Sequence, residues 1–345
     1  MYSLPISKLI VAMMFYSGWE FSGRLALATE SRGSPADPAA RLATLDLKET
    51  ESTITISFQA KPIVVYNKQS PPVPAGIDPV YHRSGFLHPV SSPDGTIVTA
   101  TFPLDHPHQH GIFSAWVKTS YDGQPVDFWN LAGGTGRVLH ERVVSTFVSQ
   151  DSTGFEVDLI HRVEGNPAVN VLRERWKVSV YPTDGDYHCF DLETTQQALT
   201  NKPLLISQYH YGGIALRGPV RWLKSQPDNR TRPPDYVSEP SSFLNNLRSD
   251  RIEGNHEHAE WVALSGTIRL KPVSVAVLCH ADNFRAPQAA RLHPTKPYFC
   301  FAPCVDGSFT IDKEHPFRAR YRYVITDAAT DALLLDRHWQ AWHKD

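Results

Sequence analysis

Short runs with the pattern of strands recur along this chain with turn signals between them, and that recurrence constrains the fold more than any other feature. Within Glu51–Phe58, Thr53, Thr55 and Ser57 alternate with Ile54, Ile56 and Phe58, the period-two pattern of a half-buried strand. Pro62–Asn67 follows, then Gly95–Phe102 after a Pro93-Asp94-Gly95 turn. Arg137–Gln150, Gly154–Val163 and Arg173–Tyr181 read as three successive strands. Tyr187–Thr195, Gly266–His280, Tyr298–Phe301 and Phe317–Thr326 continue the series. Strand and helix patterns do not alternate, so a doubly wound nucleotide fold is not expected. One helix is expected, at the end, over Asp327–Trp342, where Leu333, Leu334 and Leu335 lie in a polar run. The expected class is all-β: a large antiparallel β-sandwich with few helices and one short C-terminal helix.

Composition supports this reading. The 345 residues include 27 Pro and 11% aromatics but only 3 Met, a balance that suits strands joined by turns. Lys and Arg number 34 against 36 Asp and Glu, so the basic excess of a nucleic-acid binder is missing. At the start, Lys8 precedes the apolar run Leu9–Tyr16, and Ala26-Leu27-Ala28 forms an A-x-A cleavage pattern before Thr29. Glu20 and Arg24 interrupt that signal. The run is too short to cross a bilayer, which takes ~20 apolar residues. The expectation is a signal peptide over 1–28, a linker over 29–45 and one sandwich domain over 46–345. The mature protein would be periplasmic or secreted, with no membrane span. Residues 223–255, rich in Pro, Asn, Arg and Ser, read as a long excursion that covers a site. Export permits disulfides. Cys189, Cys279, Cys300 and Cys304 allow three connectivities, lack zinc-site spacing, and read as buried thiols or one disulfide.

The densest chemistry is Asp105-His106-Pro107-His108-Gln109-His110-Gly111. If extended, the three histidines point to one face and could bind one divalent transition metal through His106, His108 and His110. The same imidazoles serve equally as acid and base on a polar substrate, with Asp105 orienting one of them. Asp127-Phe128-Trp129 places a carboxylate beside two aromatics, which suits a sugar ring or a turn cap against a core pair. Tyr209, His210 and Tyr211 offer proton-transfer groups, the tyrosines on one face and His210 on the other, followed by Gly212, Gly213 and Arg217. A polar loop carries Asn283, Arg285 and His293, which could anchor a hydroxyl-rich or carboxylate ligand. His256 and His258 read as solvent-exposed. The nucleophile elbow, Walker A, HExxH and GxGxxG patterns are all absent.

These segments together resemble a bacterial family labelled PmoA-like. The resemblance rests on Asp105-His106-Pro107-His108 with Gly111, on Gly123 and Asp127-Phe128-Trp129, and on Tyr211-Gly212-Gly213 with Arg217. Asn283-Phe284-Arg285, Arg291-Leu292-His293-Pro294 leading to Pro297-Tyr298-Phe299, and Arg320-Tyr321-Arg322-Tyr323 complete it, from roughly residue 80 to 342. Gln109-His110 stands where many members have His-Arg or His-His. The resemblance implies a β supersandwich of the galactose-mutarotase kind in exporting bacteria rich in polysaccharide-degrading genes. It implies no reaction. The label suggests a metal-binding, methane-oxygenase-like protein, but such a subunit needs several apolar spans that this sequence lacks.

Three readings follow. In the first, the chain is an exported carbohydrate-processing enzyme of lyase, epimerase or hydrolase type, metal-aided or not. His106, His108, His210 and Tyr211 would be catalytic, with Asp105, Asp127, Trp129, Arg217, Asn283, Arg285 and His293 holding a carbohydrate or other small polar substrate. In the second, it is a non-catalytic carbohydrate-binding module with an exposed aromatic platform. The third is the metal-binding protein of the family label. A retaining hydrolase needs two carboxylates ~5–5.5 Å apart. Asp105 and Asp127 are the only pair at hand, which favours elimination, epimerisation or metal-aided chemistry over hydrolysis.

Overall fold

The computed structural model describes residues 45–223 and 238–342. The expected signal peptide, and all of the expected linker but Leu45, lie outside the described residues, as does part of the 223–255 excursion. Leu45 opens the first strand.

All strand pairs are antiparallel and fall into three sheets among the described residues. The first runs β1 (Leu45–Glu49), β2 (Thr53–Phe58), β3 (Lys61–Asn67), β4 (Phe86–Val90), β5 (Ile112–Ala115), β13 (Gly213–Arg217), β18 (Tyr298–Phe301) and β17 (Ala290–Leu292). The second runs β14 (Ser241–Asn245), β15 (Trp261–Ile268), β16 (Lys271–Cys279), β20 (Phe317–Thr326), β11 (Tyr187–Ala198), β10 (Val169–Tyr181), β9 (Thr153–Val163) and β8 (Gly136–Val148). A small third sheet orders β19 (Phe309–Ile311), β12 (Leu204–Ile206), β6 (Thr119–Tyr121) and β7 (Gln124–Val126).

The two large sheets bury one apolar core between them. Ile54, Ile56, Val64 and Tyr66 of the first meet Phe155, Val157, Trp176 and Leu192 of the second. Rings make the inter-sheet contacts, Tyr66 with Phe155 at 5.3 Å and Phe301 stacked on Tyr321 at 5.7 Å. Each such aromatic pair contributes ~0.5–1.5 kcal/mol beyond the area it buries. The expected β-sandwich is therefore the observed one. Helix α1 (Ala332–Trp342) is the expected C-terminal helix, started later than Asp327 because the Asp331 carboxylate caps the amides of Leu333 and Leu334. Its Leu335 and Trp342 pack on Trp261, Leu278 and Val324, the outer face of the second sheet. Among the described residues no helix is long and apolar enough to cross a membrane.

Two expected strands differ. Gly266–His280 is a hairpin, β15 and β16, turned by Arg269 and Leu270, both at positive φ, with Ile268 opposite Lys271. Gly95–Phe102 forms only isolated bridges, Ser91 with Ile97 and Thr101 with His110, and Phe102 sits at φ 47°. All four cysteines are buried and free, so no disulfide pairs them.

The core also holds charge. His161 and Glu174 are fully buried side by side, Nε2 to Oε2 at 2.6 Å, and the second Glu174 oxygen accepts from Trp176 Nε1 and Thr194 Oγ1. Burial pushes the Glu174 carboxyl up, but the hydrogen bond and charge of His161, with those two donors, bring it down to about 2.

Candidate active site

The sequence of β13 explains where a pocket forms. Along a strand, side chains alternate between faces. Ile214 and Leu216 face the second sheet, while Gly213, Ala215 and Arg217 face the other way. The register sets Phe113 opposite Ala215 on β5, Tyr298 opposite Arg217 and Cys300 opposite Ala215 on β18, and Arg291 opposite Cys300 on β17. This outer face of the first sheet therefore has small residues in its middle and large ones around them. Loops from 102–111, 127–131, 207–212 and 293–297 rise over it and enclose a cavity of about 190 Å³.

The 102–111 loop is not extended. His106 N donates to Pro103 O, and Gln109 N to His106 O, so two successive turns carry the histidines. The period-two expectation fails for that reason. His106 and His108 line the cavity, their ring centroids 5.5 Å apart. His110 instead points into the core between Phe86 and Phe102, with Nδ1 hydrogen-bonded to Thr101 Oγ1. It does not converge with the other two, and among the described residues no group of three His, Cys, Asp or Glu side chains is placed to hold a metal ion. Gly111 ends the turns at φ 52°, and a Cβ there would lie 2.0 Å from Leu87 O. Backbone bonds from Gly111 N to Ala100 O, Ala100 N to Arg217 O and Arg217 N to Gly111 O fasten the loop to the end of β13.

That fastening brings Asp105 to Arg217. The guanidinium donates to both carboxylate oxygens, at 2.8 and 3.0 Å, and also to Gln109 Oε1 at 2.8 Å. Neither side chain of the pair is more than 3% exposed. The same carboxylate accepts from His106 Nδ1 at 2.9 Å, while His106 remains 29% exposed. Burial raises the Asp105 carboxyl, but the His106 bond and the Arg217 charge outweigh it and hold the group well below the usual carboxylate range. A carboxylate has no proton to give, so His106 donates from Nδ1, and Nε2 is left outside that bond.

Around this dyad the cavity is lined with imidazoles and phenols. His293 lies 5.8 Å from the His106 ring. Burial, with the charges of His106 and nearby cations, pushes both His108 and His293 down to about 3, so both rings are neutral near pH 7. Tyr211 donates to Asn130 Oδ1 and is pushed up to about 12, chiefly by burial. His210, exposed at the rim, packs edge-on against Tyr211 and is shifted down by burial and by Arg291. It lines the same cavity as Tyr211 and not the opposite face. Trp129 is fully buried in the wall, against Phe113 and Tyr211, with no acceptor among the described residues for its indole N–H.

Several expected site residues do other work. Asp127 caps a turn, accepting from the amides of Trp129 and Asn130 and from Asn130 Nδ2. Arg217 orients Asp105 and does not line the cavity. Asn283 is buried elsewhere, bonded to both backbone groups of Arg320. Arg285 is spent on the carbonyls of Pro303, Gly307 and Ser308. His258 is exposed as expected, whereas His256 is partly buried and bonds His210 O. Asn130, Arg291, Tyr298 and Gln109 line the cavity without having been singled out for it. Gln109, Arg291 and Tyr298 fall within the segments that carry the family resemblance and Asn130 adjoins Trp129, but nothing in the sequence marks them as lining one cavity.

Among solved structures, the chain is similar to the Slr1438 protein from Synechocystis sp. PCC 6803, at 10% identity and a TM-score of 0.34, over 83% of this chain and 96% of that one. No curated protein matches. The model of a family described as a family of unknown function (DUF6807) matches residues 53–340, and the chain belongs to that family.

Proposed function

We propose that this cavity is the active site of a carbohydrate-processing enzyme that moves protons at carbon, by β-elimination or epimerisation. The observation that carries the reading is the Asp105–His106 dyad, clamped by Arg217, with His106 Nε2 free beside a cavity of polar groups. In this scheme His106 Nε2 takes a proton from a ring carbon next to an electron-withdrawing group. For elimination, the C–H electrons form a C=C bond as the C–O bond to the leaving group breaks, and the Tyr211 hydroxyl protonates the departing oxygen. For epimerisation, the C–H electrons pass into the adjacent electron-withdrawing group, and the Tyr211 hydroxyl returns a proton to the opposite face of the same carbon as those electrons come back. Neutral His108 and His293 accept hydrogen bonds from hydroxyls, and Trp129 supplies an apolar wall.

Two-carboxylate hydrolysis fits less well. Asp105 is held by Arg217 and Asp127 by its turn, so neither is free to act as acid or nucleophile. A surface binding module calls for an exposed aromatic platform, while Trp129 is buried. The PmoA-like resemblance and the N-terminal signal pattern support a polysaccharide context outside the cytoplasm.

The test is a screen of polysaccharides and keto-sugars in deuterated water with the full chain and with His106→Ala. Unsaturated products absorbing in the ultraviolet indicate elimination, and deuterium at a ring carbon without cleavage indicates epimerisation. Binding without either, unchanged in His106→Ala, would sink the enzyme reading.

A further inference from the structure

We infer that the ligand of this cavity carries a carboxylate that docks on Arg291, so that the sugar taken is an acidic one of the uronate kind. The inference rests on the sugar reading above and adds the charge. Among the described residues no Asp or Glu lines the cavity, and Arg291 is its one permanent cation. Just behind the wall, one carboxylate, Asp105, faces both Arg217 and Lys296, the latter 3.8 Å away. The site thus carries more positive charge than its own acid neutralises.

Arg291 is set apart from most other arginines. Arg142 and Arg175 pair with Asp158, Arg322 with Asp191, and Arg248 with Asp336. Arg251 and Arg285 donate to backbone carbonyls. Arg291 uses one amino group on two uncharged acceptors, Asn255 Oδ1 at 2.7 Å and Leu292 O at 3.1 Å. Those bonds fix the plane of the guanidinium and leave its other donors without a carboxylate among the described residues. A half-buried, oriented guanidinium facing a cavity matches the two oxygens of a carboxylate in a forked geometry. Burial shifts both His210 and His293 downward, and the Arg291 charge adds to each shift. A carboxylate beside a ring C–H also makes that proton more acidic, which is the group the proposed elimination needs.

The experiment compares methyl glucuronide with methyl glucoside by calorimetric titration of the full chain, of Arg291→Gln and of Arg291→Lys. The glucuronide is expected to bind at least about tenfold tighter, a preference that collapses below about threefold in Arg291→Gln and survives in part in Arg291→Lys. Equal binding of the two glycosides to the native protein overturns the inference, as does a preference that persists in Arg291→Gln. If neither glycoside binds but lactate does, in an Arg291-dependent way, the carboxylate inference stands and the sugar reading falls. Turnover of neutral sugars with no anion preference leaves the sugar reading and overturns this one. If Arg291→Gln does not fold, the Arg291→Lys ratio decides, since a preference wholly unchanged there counts against a forked contact.

Discussion

Among the described residues, two His–carboxylate pairs of similar geometry have a buried carboxylate, His161 with Glu174 and His106 with Asp105. In both, an imidazole nitrogen meets a carboxylate whose burial is outweighed by its hydrogen-bonding partners. The difference lies on the other side of the ring. His161 is sealed between the sheets, its ring against Phe128. His106 opens onto the cavity, and its carboxylate is backed by Arg217 so that the imidazole is not needed to neutralise it. The comparison teaches that the pair alone is not a site. A dyad becomes chemistry when its second nitrogen reaches solvent-accessible space and a third group carries the charge.

Breaking each pair should separate these roles. His161→Ala leaves Glu174 buried without its main partner and is expected to cost ~3–5 kcal/mol of stability, read as a lowered denaturation midpoint. His106→Ala leaves Asp105 on Arg217 and should cost under ~1 kcal/mol, yet lower turnover by ~10²–10⁴. Equal stability losses in the two variants would erase the distinction.

A smaller effect is expected at the loop that presents the open dyad. Gly111→Ala forces a Cβ against Leu87 O and a residue into the left-handed region, at ~1–3 kcal/mol. Ligand binding should fall more than that stability loss alone accounts for, because the turns carrying His106 and His108 shift with it. Calorimetric titration beside thermal melts checks this, and unaltered affinity would show that the loop's position is not set there.

Acid should act on both regions in one direction. His108 and His293 are pushed down to about 3, and His88 and His188, also by burial, to about 4. An unfolded histidine titrates near ~6.5. Between these values the unfolded chain binds more protons than the folded one, so stability rises with pH there. It is complete above about pH 6.5 and is lost as pH falls towards 4 and 3. The depressed Asp105 adds loss in the same sense, at still lower pH. Midpoints recorded from pH 7 to 4 should fall, with a shallower slope in a His108→Gln/His293→Gln variant, and a flat profile would contradict the buried neutral rings. The smallest effect is assigned to Asp127→Ala, the loss of a turn cap at ~1 kcal/mol with turnover little changed. A loss of turnover like that of His106→Ala would return Asp127 to the chemistry.

Alternation made the long strands legible. Phe317–Thr326 is recovered to the residue as β20, and Arg173–Tyr181 as the later part of β10, which starts at Val169. Three-residue strands, such as β6, β12 and β17, were not, because a period of two needs more repeats than they hold. The site was legible as a location, in Asp105-His106-Pro107-His108, but not in its roles. Turns replaced the strand that would have aligned His110 with the other two. Asn283 and Arg285 look like ligand-binding residues in one dimension, and only the fold spends them on backbone groups of Arg320 and of the 303–308 loop. No local pattern announces that Arg291 and Tyr298 face the same cavity as His106, since that follows from strand register.

The bond between Asp105 and Arg217 joins positions 112 residues apart. Between them the chain lays down β5 to β12 and with them the long strands of the second sheet. Contacts of such sequence separation form late, since loop closure must be complete before they contribute. The candidate site therefore has no partial form. A chain whose sandwich is unfinished holds His106 without its backing and Arg291 without its cavity, so ligand binding doubles as a reporter that folding has finished. In a refolding experiment, binding should appear only in the last phase, after both sheets have gained their protection from exchange.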